Sequence, residues 1–218
     1  MIDYRLYLVT DDPSRYSGNW IDNVVAAVEG GVTCVQYRDT ESPRRVRYER
    51  ILKLMDAIPN AFVVVNNDAE LAAAVDADGV HVGQSDMSVA EARRIVGKGK
   101  DIGLSITDIS QLSAVADDAD VPDVFGIGPV FDARKTKADA SAAMGVSGCA
   151  AIKAALDCHP ALVANPSRFG TIAIGGINLE NAADVCATGV FGLAVVSAFS
   201  KSEDPYGVAR AFRRIIGW

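Results

Sequence analysis

The chain reads as a single (β/α)8 barrel domain spanning residues 1–218, and three features predict it. Eight short apolar stretches are each followed by a helix-forming stretch. They recur at about one unit per 27 residues, the spacing of this fold. The last two strands end in Gly175-Gly176 and Ser197, where such barrels often hold a phosphate group. The rival architecture, a doubly wound open sheet, needs a glycine-rich turn after its first strand. Here that strand runs into Thr10-Asp11-Asp12-Pro13, with no glycine until Gly18.

Tyr4–Thr10 forms the first strand, and Trp20–Glu29 its helix, ended by Gly30-Gly31. Cys34–Arg38 is the second strand. Ser42 then offers an N-cap with Pro43 at the first helical position, and the helix runs toward Ile58. Ala61–Val65 is apolar and β-branched, a strand covered on both faces, and a short helix follows over Asp68–Val75. Val80–Val82 is the fourth strand, and Ser88 with Glu91 makes a capping box for its helix. Ile102–Leu104 is the fifth, with a helix from Asp108 to about Ala116. Val124–Ile127 is the sixth. Residues 131–145 form the longest polar insertion after a strand, with Ser147 placed to cap the next helix. Residues 157–170 read as a loose connection on the opposite face. Thr171–Ile174 is the seventh strand, with Asn178 as cap of its helix and Gly189 beyond its end. Leu193–Val196 is the eighth, and Asp204-Pro205 starts the last helix.

Composition narrows the function. Half the residues are hydrophobic and 22% are charged, which suits a soluble globular enzyme. No apolar run reaches bilayer length, so no membrane partner is expected. No signal-like segment opens the chain, so a cytoplasmic location is expected. A net charge of -7 without a basic tract argues against nucleic acid as a partner. Cys34, Cys149, Cys158 and Cys186 contain no Cys-x-x-Cys pair and read as buried, inert thiols. Two histidines exclude a His-rich metal site.

A barrel gathers the residues that follow each strand on one rim. These are Gln36 and Arg38, Asn66 and Asn67, His81 with Gln84 and Asp86, Ser105, Gly128, Gly175 and Gly176, and Ser197. So many amides and hydroxyls in register point to recognition rather than stability. Gly175-Gly176 either turns the chain or lets backbone amides approach a phosphate. Asp86 reads as a ligand for a hard cation such as Mg2+ or as a solvated loop aspartate. His81 points into the barrel and reads as a buried, hydrogen-bonded histidine rather than a general base.

The chain resembles the thiamine-phosphate synthase family. Tyr7-Leu8-Val9-Thr10-Asp11, Gly31 to Arg38, Asp78 to Asp86, Ile102 to Ser105, Gly126 to Phe131, Ala173 to Ile177 and Ala194 to Ser197 match in order over nearly the whole chain. Asp78-Gly79-Val80-His81-Val82-Gly83-Gln84-Ser85-Asp86 is the specific segment; the Gly-Gly segment occurs in many phosphate-binding barrels. The resemblance implies a transferase. Hydroxymethylpyrimidine diphosphate loses pyrophosphate, and a thiazole phosphate nitrogen attacks the resulting cationic carbon. It also implies a set of roles. Gln36, Arg38 and Asn66 approach the diphosphate and pyrimidine, Asp86 and Asn67 hold Mg2+, and Gly176, Val196 and Ser197 grip the thiazole phosphate. Ser105 and Lys137 act at the reacting centre, with Arg134 and Thr136 beside Lys137 at the diphosphate. The implied partners are small phosphorylated substrates, and small barrels often self-associate, so a homo-oligomer is expected.

Three departures from the family pattern fall on the diphosphate side. Thr40 stands where the family has lysine, and Asn67 where it has aspartate, with Asp68 next along a doubtful substitute. The loop Asp132-Ala133-Arg134-Lys135-Thr136-Lys137 carries an apparent insertion before Thr136-Lys137. Arg134, Lys135 and Lys137 are placed to restore the cation missing at Thr40. Two further readings follow: a catalytically weakened relative that binds thiazole phosphate or thiamine phosphate, and a thiazole tautomerase-like protein. The second is disfavoured by Thr107, which stands where those proteins carry histidine.

Overall fold

In a computed structural model that describes residues 2–16, 18–115, 121–134, 136–137, 140–163 and 170–217, eight parallel strands close a barrel in sequence order. They are β1 (Leu6–Val9), β2 (Cys34–Tyr37), β3 (Phe62–Asn66), β4 (Gly79–Val82), β5 (Asp101–Ile106), β6 (Val124–Ile127), β7 (Gly170–Ile174) and β8 (Gly192–Val195). Closure runs through β1 and β8, with Leu6 opposite Leu193.

Strand alternation divides two cores. Leu6 and Leu8, Val35 and Tyr37, Val63 and Val65, Val80 and Val82 point outward and pack under the helices. Tyr7, Val9, Cys34, Val64, Val124, Ile172 and Ala194 fill the barrel interior. The same alternation carries Gln36, Asn66, His81 and Ser105 inward, one near the C-terminal end of each of four successive strands. Asn66 lies opposite His81, and His81 opposite Gly103. The His81 ring needs that glycine: a Cβ on Gly103 would lie 2.1 Å from His81 Nδ1.

The covering helices are α1 (Trp20–Gly30), α2 (Arg44–Ala57), α3 (Ala69–Ala74), α4 (Val89–Val96), α5 (Gly145–Asp157), α6 (Pro160–Val163), α7 (Ala182–Cys186), α8 (Ser197–Ser200) and α9 (Pro205–Ile216). The Ser88–Glu91 capping box opens α4, and Asp204 caps α9 by accepting from Gly207 N–H. Gly31 ends α1 in the left-handed conformation. None of these helices is long and apolar enough to cross a membrane.

Several expected details differ. Pro43, not Ser42, occupies the N-cap of α2, because Ser42 Oγ is taken by Arg50 Nη1 at 2.8 Å. Ser147 lies inside α5, which starts at Gly145 without a side-chain cap. Asn178 caps a turn rather than α7: its Oδ1 accepts from the N–H groups of Glu180 and Asn181. The segment after β5 is a 3-10 helix, Ile109–Ala114, capped by Asp108; Ala116 lies outside the described residues. Residues 157–170 include α6, while 164–169 lie outside the described residues. Cys158 is exposed and Cys186 half-buried, rather than buried as Cys34 and Cys149 are. Helix α8 has no counterpart in the expected element order, since four residues carry too little periodicity to read.

Candidate active site

The C-terminal mouth of the barrel opens into one cleft with two lobes. The first, of about 350 Å³, is lined by Gly175, Gly176, Ile177, Val196 and Ser197 on one side and by Tyr7, Gln36 and His81 on its floor. The second, of about 630 Å³, lies over the β1, β2, β3 and β4 loops and is lined by Asp11, Asp12, Arg15, Thr40, Asn67 and Asp86. Arg38, Asn66, Ser105, Thr107, Thr136 and Lys137 line both lobes and form the seam between them.

The floor is a buried polar row. Gln36 Nε2 donates to Tyr7 Oη at 2.9 Å. His81 Nε2 and Ser105 Oγ share a hydrogen bond of 3.0 Å, while His81 Nδ1 is buried without a partner. Burial, helped by the Lys137 charge, pulls His81 down to about 4. The imidazole is therefore neutral at pH 7 and offers Ser105 a fixed dipole rather than a proton reservoir. An orphaned lone pair is better tolerated than an orphaned N–H. That favours the tautomer in which Nε2–H donates to Ser105, leaving the serine proton free to turn toward the cleft. Gln84 Nε2 donates to Ser105 O at 2.7 Å and fixes the strand end from outside.

The first lobe is built from backbone. Gly175 and Gly176 both have positive φ, 105° and 64°. The loop after β6 lies directly against them: a Cβ on Gly176 would meet Phe131 Cβ at 2.7 Å. Phe131 N–H donates to Gly175 O at 2.9 Å, and Asn181 Nδ2 to Gly176 O at 3.0 Å. These contacts make the pair both a turn and a close approach. Ser197 begins α8, whose orientation is fixed below by buried Phe199 against the Phe212 ring. Burying such a ring contributes roughly 1.5–3 kcal/mol.

The second lobe is built from charge. Among the described residues it carries five carboxylates, Asp11, Asp12, Asp39, Glu41 and Asp86, against Arg15, Arg38 and Lys137. Buried Asp11 accepts from Ser200 Oγ at 3.1 Å and pairs with Arg15 at 3.3 Å. Asp39 pairs with Arg50 at 2.7 Å. Burial raises the Asp39 pKa, but the Ser42 N–H and the other donors around it prevail and hold it at about 2. Asp86 spends one oxygen on Gly83 N–H at 2.7 Å and has no ion-pair partner among the described residues. Asn67 sits at φ 59° with its N–H on His81 O, a conformation asparagine tolerates. No group of three His, Cys, Asp or Glu side chains able to hold a metal occurs among the described residues.

The cleft thus brings together Gln36, Arg38, Asn66, Asn67, Asp86, Ser105, Thr136, Lys137, Gly176, Val196 and Ser197. It does not bring in Arg134. That guanidinium forms a two-pronged ion pair with Asp132, at 2.9 and 3.1 Å, and lines neither lobe. Lys135 lies outside the described residues. Thr136 lies at the seam because its carbonyl accepts from Arg38 Nη1 at 3.3 Å. Asp68 caps α3 and pairs with Arg44 and Arg47, so it does not stand in for a lobe carboxylate at Asn67. Sequence reading missed Arg15, Asp132, Ser141 and Lys201, all of which line the cleft. Arg15 carried a readable signal: Asp12 caps a turn with Pro13 at its first position. Lys201 carried none, because its placement depends on α8.

Comparison with known proteins places the chain in a family. A family profile described as thiamine monophosphate synthase matches residues 6–199. The thiamine-phosphate synthase of Chloroflexus aurantiacus is 42% identical over 219 residues, spanning 99% of this chain and 94% of that protein. The thiamine-phosphate synthase of a Psychrobacter species is 39% identical over 92% of this chain and 89% of its own length. A solved structure of thiamine phosphate pyrophosphorylase from Pyrococcus furiosus superposes with a TM-score of 0.80 at 30% identity, covering 98% of this chain and 96% of that one.

Proposed function

This chain belongs to the thiamine monophosphate synthase family, and from that premise we propose a division of labour across its cleft. The activity is that of a transferase joining hydroxymethylpyrimidine diphosphate to thiazole phosphate with release of pyrophosphate. The backbone-lined lobe receives the thiazole phosphate, through Gly176, Val196 and Ser197. The charged lobe receives the diphosphate, through Arg38, Asn66, Thr136 and Lys137. The pyrimidine lies between, over Gln36 and Ser105. The observation that carries this reading is the seam: both lobes share Arg38, Ser105 and Lys137, where the bond must change hands.

The chemistry follows from that placement. The C–O bond to the diphosphate breaks with its electron pair going to the leaving oxygen. The thiazole nitrogen lone pair then forms the C–N bond. Arg38 and Lys137 stabilise charge on the leaving group, and the backbone lobe holds the nucleophile in line. Ser105, oriented by neutral His81, offers its hydroxyl to the pyrimidine ring.

A divalent cation fits the charged lobe. Among the described residues, five carboxylates there would repel a diphosphate that three side-chain cations attract. Mg2+ is commonly held by one or two carboxylates together with substrate phosphates. Asp86, with the Asn67 amide oxygen, suits that donor set. Bound there, the ion would neutralise charge on the departing diphosphate. The same reading treats the chain as one barrel domain acting in the cytoplasm on small phosphorylated substrates, with self-association to be checked by sedimentation.

The test is direct. Purified protein with both substrates and Mg2+ is expected to form thiamine phosphate steadily, and a chelator is expected to stop it. Binding of thiazole phosphate without any product would overturn the catalytic reading in favour of a weakened relative.

A further inference from the structure

Among the described residues, the backbone-lined lobe contains one side-chain cation that the charged lobe does not share, Lys201. Arg38 and Lys137 line both lobes, so their charge is divided between two anions. Among the described residues, no other lysine or arginine faces the first lobe alone. From this placement we infer that Lys201 is a phosphate ligand of the thiazole half. It would give that half a charge-based preference for a phosphorylated ligand. The inference rests on the proposed assignment of thiazole phosphate to this lobe.

Three observations support it. First, Lys201 follows α8 directly and sits four residues after Ser197, so the two side chains share one helical face. Lys201 N–H donates to Ser197 O at 3.2 Å. Second, the backbone beneath it is anchored. Phe199 is fully buried, Ser200 Oγ donates to Asp11 Oδ2, and Asn23 Nδ2 donates to Phe199 O at 3.2 Å and to Ser202 O at 3.4 Å. A long flexible side chain thus starts from a fixed point. Third, among the described residues Lys201 has no ion-pair partner, and the one carboxylate lining the lobe, Asp132, is engaged with Arg134. Its ammonium is not already committed.

The chemistry suits a phosphate monoester. Backbone N–H groups and a hydroxyl at Ser197 recognise its oxygens by direction, but they carry no net charge. A lysine supplies a mobile point charge that fits a dianion without demanding one geometry. Because Lys201 is exposed, its contribution should weaken as salt rises.

The experiment measures binding of thiamine phosphate and of unphosphorylated thiamine to the full chain, with K201Q and K201R compared against the parent, at low and high salt. Losing a charge-assisted hydrogen bond typically weakens binding about tenfold or more. K201Q is expected to weaken thiamine phosphate binding about tenfold at low salt while leaving thiamine unchanged, and K201R to recover most of it. In turnover, K201Q should raise KM for thiazole phosphate and leave KM for the diphosphate substrate where it was. Equal discrimination by K201Q and the parent, with the parent preferring the phosphorylated ligand, overturns the Lys201 assignment alone. A parent that does not distinguish the two ligands overturns the assignment of thiazole phosphate to this lobe and Lys201 with it.

Discussion

The two lobes of the cleft are built by opposite means. The lobe over β7 and β8 relies on backbone held by close packing, with Gly176 pressed against Phe131. The lobe over β1 to β4 relies on side chains of both signs, five carboxylates against three cations among the described residues. A backbone site tolerates no change at its glycines but is indifferent to most side chains around it. A charged site tolerates replacement of individual groups, provided the balance is kept. Of the departures from the family pattern, Thr40 and Asn67 line the charged lobe alone, while the loop after β6 reaches both lobes through Thr136 and Lys137 and the first lobe through Asp132 and Ala133. The first two fall where physics allows substitution, and the backbone lobe keeps its Gly-Gly and serine.

The largest expected effect tests the backbone lobe. Gly176→Ala places a Cβ 2.7 Å from Phe131 Cβ at a φ that alanine disfavours. The kcat/KM for thiazole phosphate should fall at least about a hundredfold, with the loss concentrated in KM. An unaltered KM would break the contrast between the lobes.

Next comes the charged lobe. Asp86→Asn keeps the shape and removes the charge. Turnover at low Mg2+ should fall about a hundredfold, and the Mg2+ concentration for half-maximal rate should rise. If added Mg2+ does not restore any rate, Asp86 is holding the Gly83 loop rather than the ion.

The floor of the first lobe gives a pH signature. The neutral form of His81 is favoured in the folded chain, with a value of about 4 against 6.5 when unfolded. Its stabilising contribution is therefore complete above pH 6.5 and is lost as pH falls toward 4. At pH 5 the loss is about 2 kcal/mol. Urea midpoints at pH 7 and pH 5 should show it in the parent, and a His81→Gln chain should show a smaller difference between the two.

The smallest contrast separates two neighbouring cations. Lys137→Ala should lower kcat about tenfold, since Lys137 lines the seam. Arg134→Ala should change kcat less than twofold, since its charge is spent on Asp132. Equal losses would mean that the loop rearranges around the substrate and brings Arg134 in.

How far the sequence could be read follows from the same physics. Short apolar stretches exposed all eight strands, and the residues at their ends gave Gln36, Asn66, His81 and Ser105 as members of one rim. Local capping chemistry gave α4 and α9 correctly, because Ser88–Glu91 and Asp204-Pro205 act within one turn. It misled at Ser42, Ser147 and Asn178, where the side chain had a competing partner or the backbone bent first. Arg134 read as a lobe cation because charge is visible in sequence and pairing is not; Asp132, two residues away, takes it. Lys201 was hidden because its position depends on a four-residue helix whose stability comes from Phe199 and Ser200, both held by distant parts of the chain.

The seam between β1 and β8 sets the order in which a newly made chain can become complete. Residue 6 must wait for residue 193, and Asp11 for Ser200. Until then β1 presents an unpaired edge, the kind of surface that invites aggregation. At about 5–20 residues per second, that wait lasts on the order of ten seconds or more. The nascent chain meanwhile lacks Ser197, so on the proposed assignment thiazole phosphate meets an incomplete site and cannot stabilise it by mass action. Chains arrested before residue 192 should be equally protease-sensitive with and without thiazole phosphate, whereas the finished chain should be protected by it.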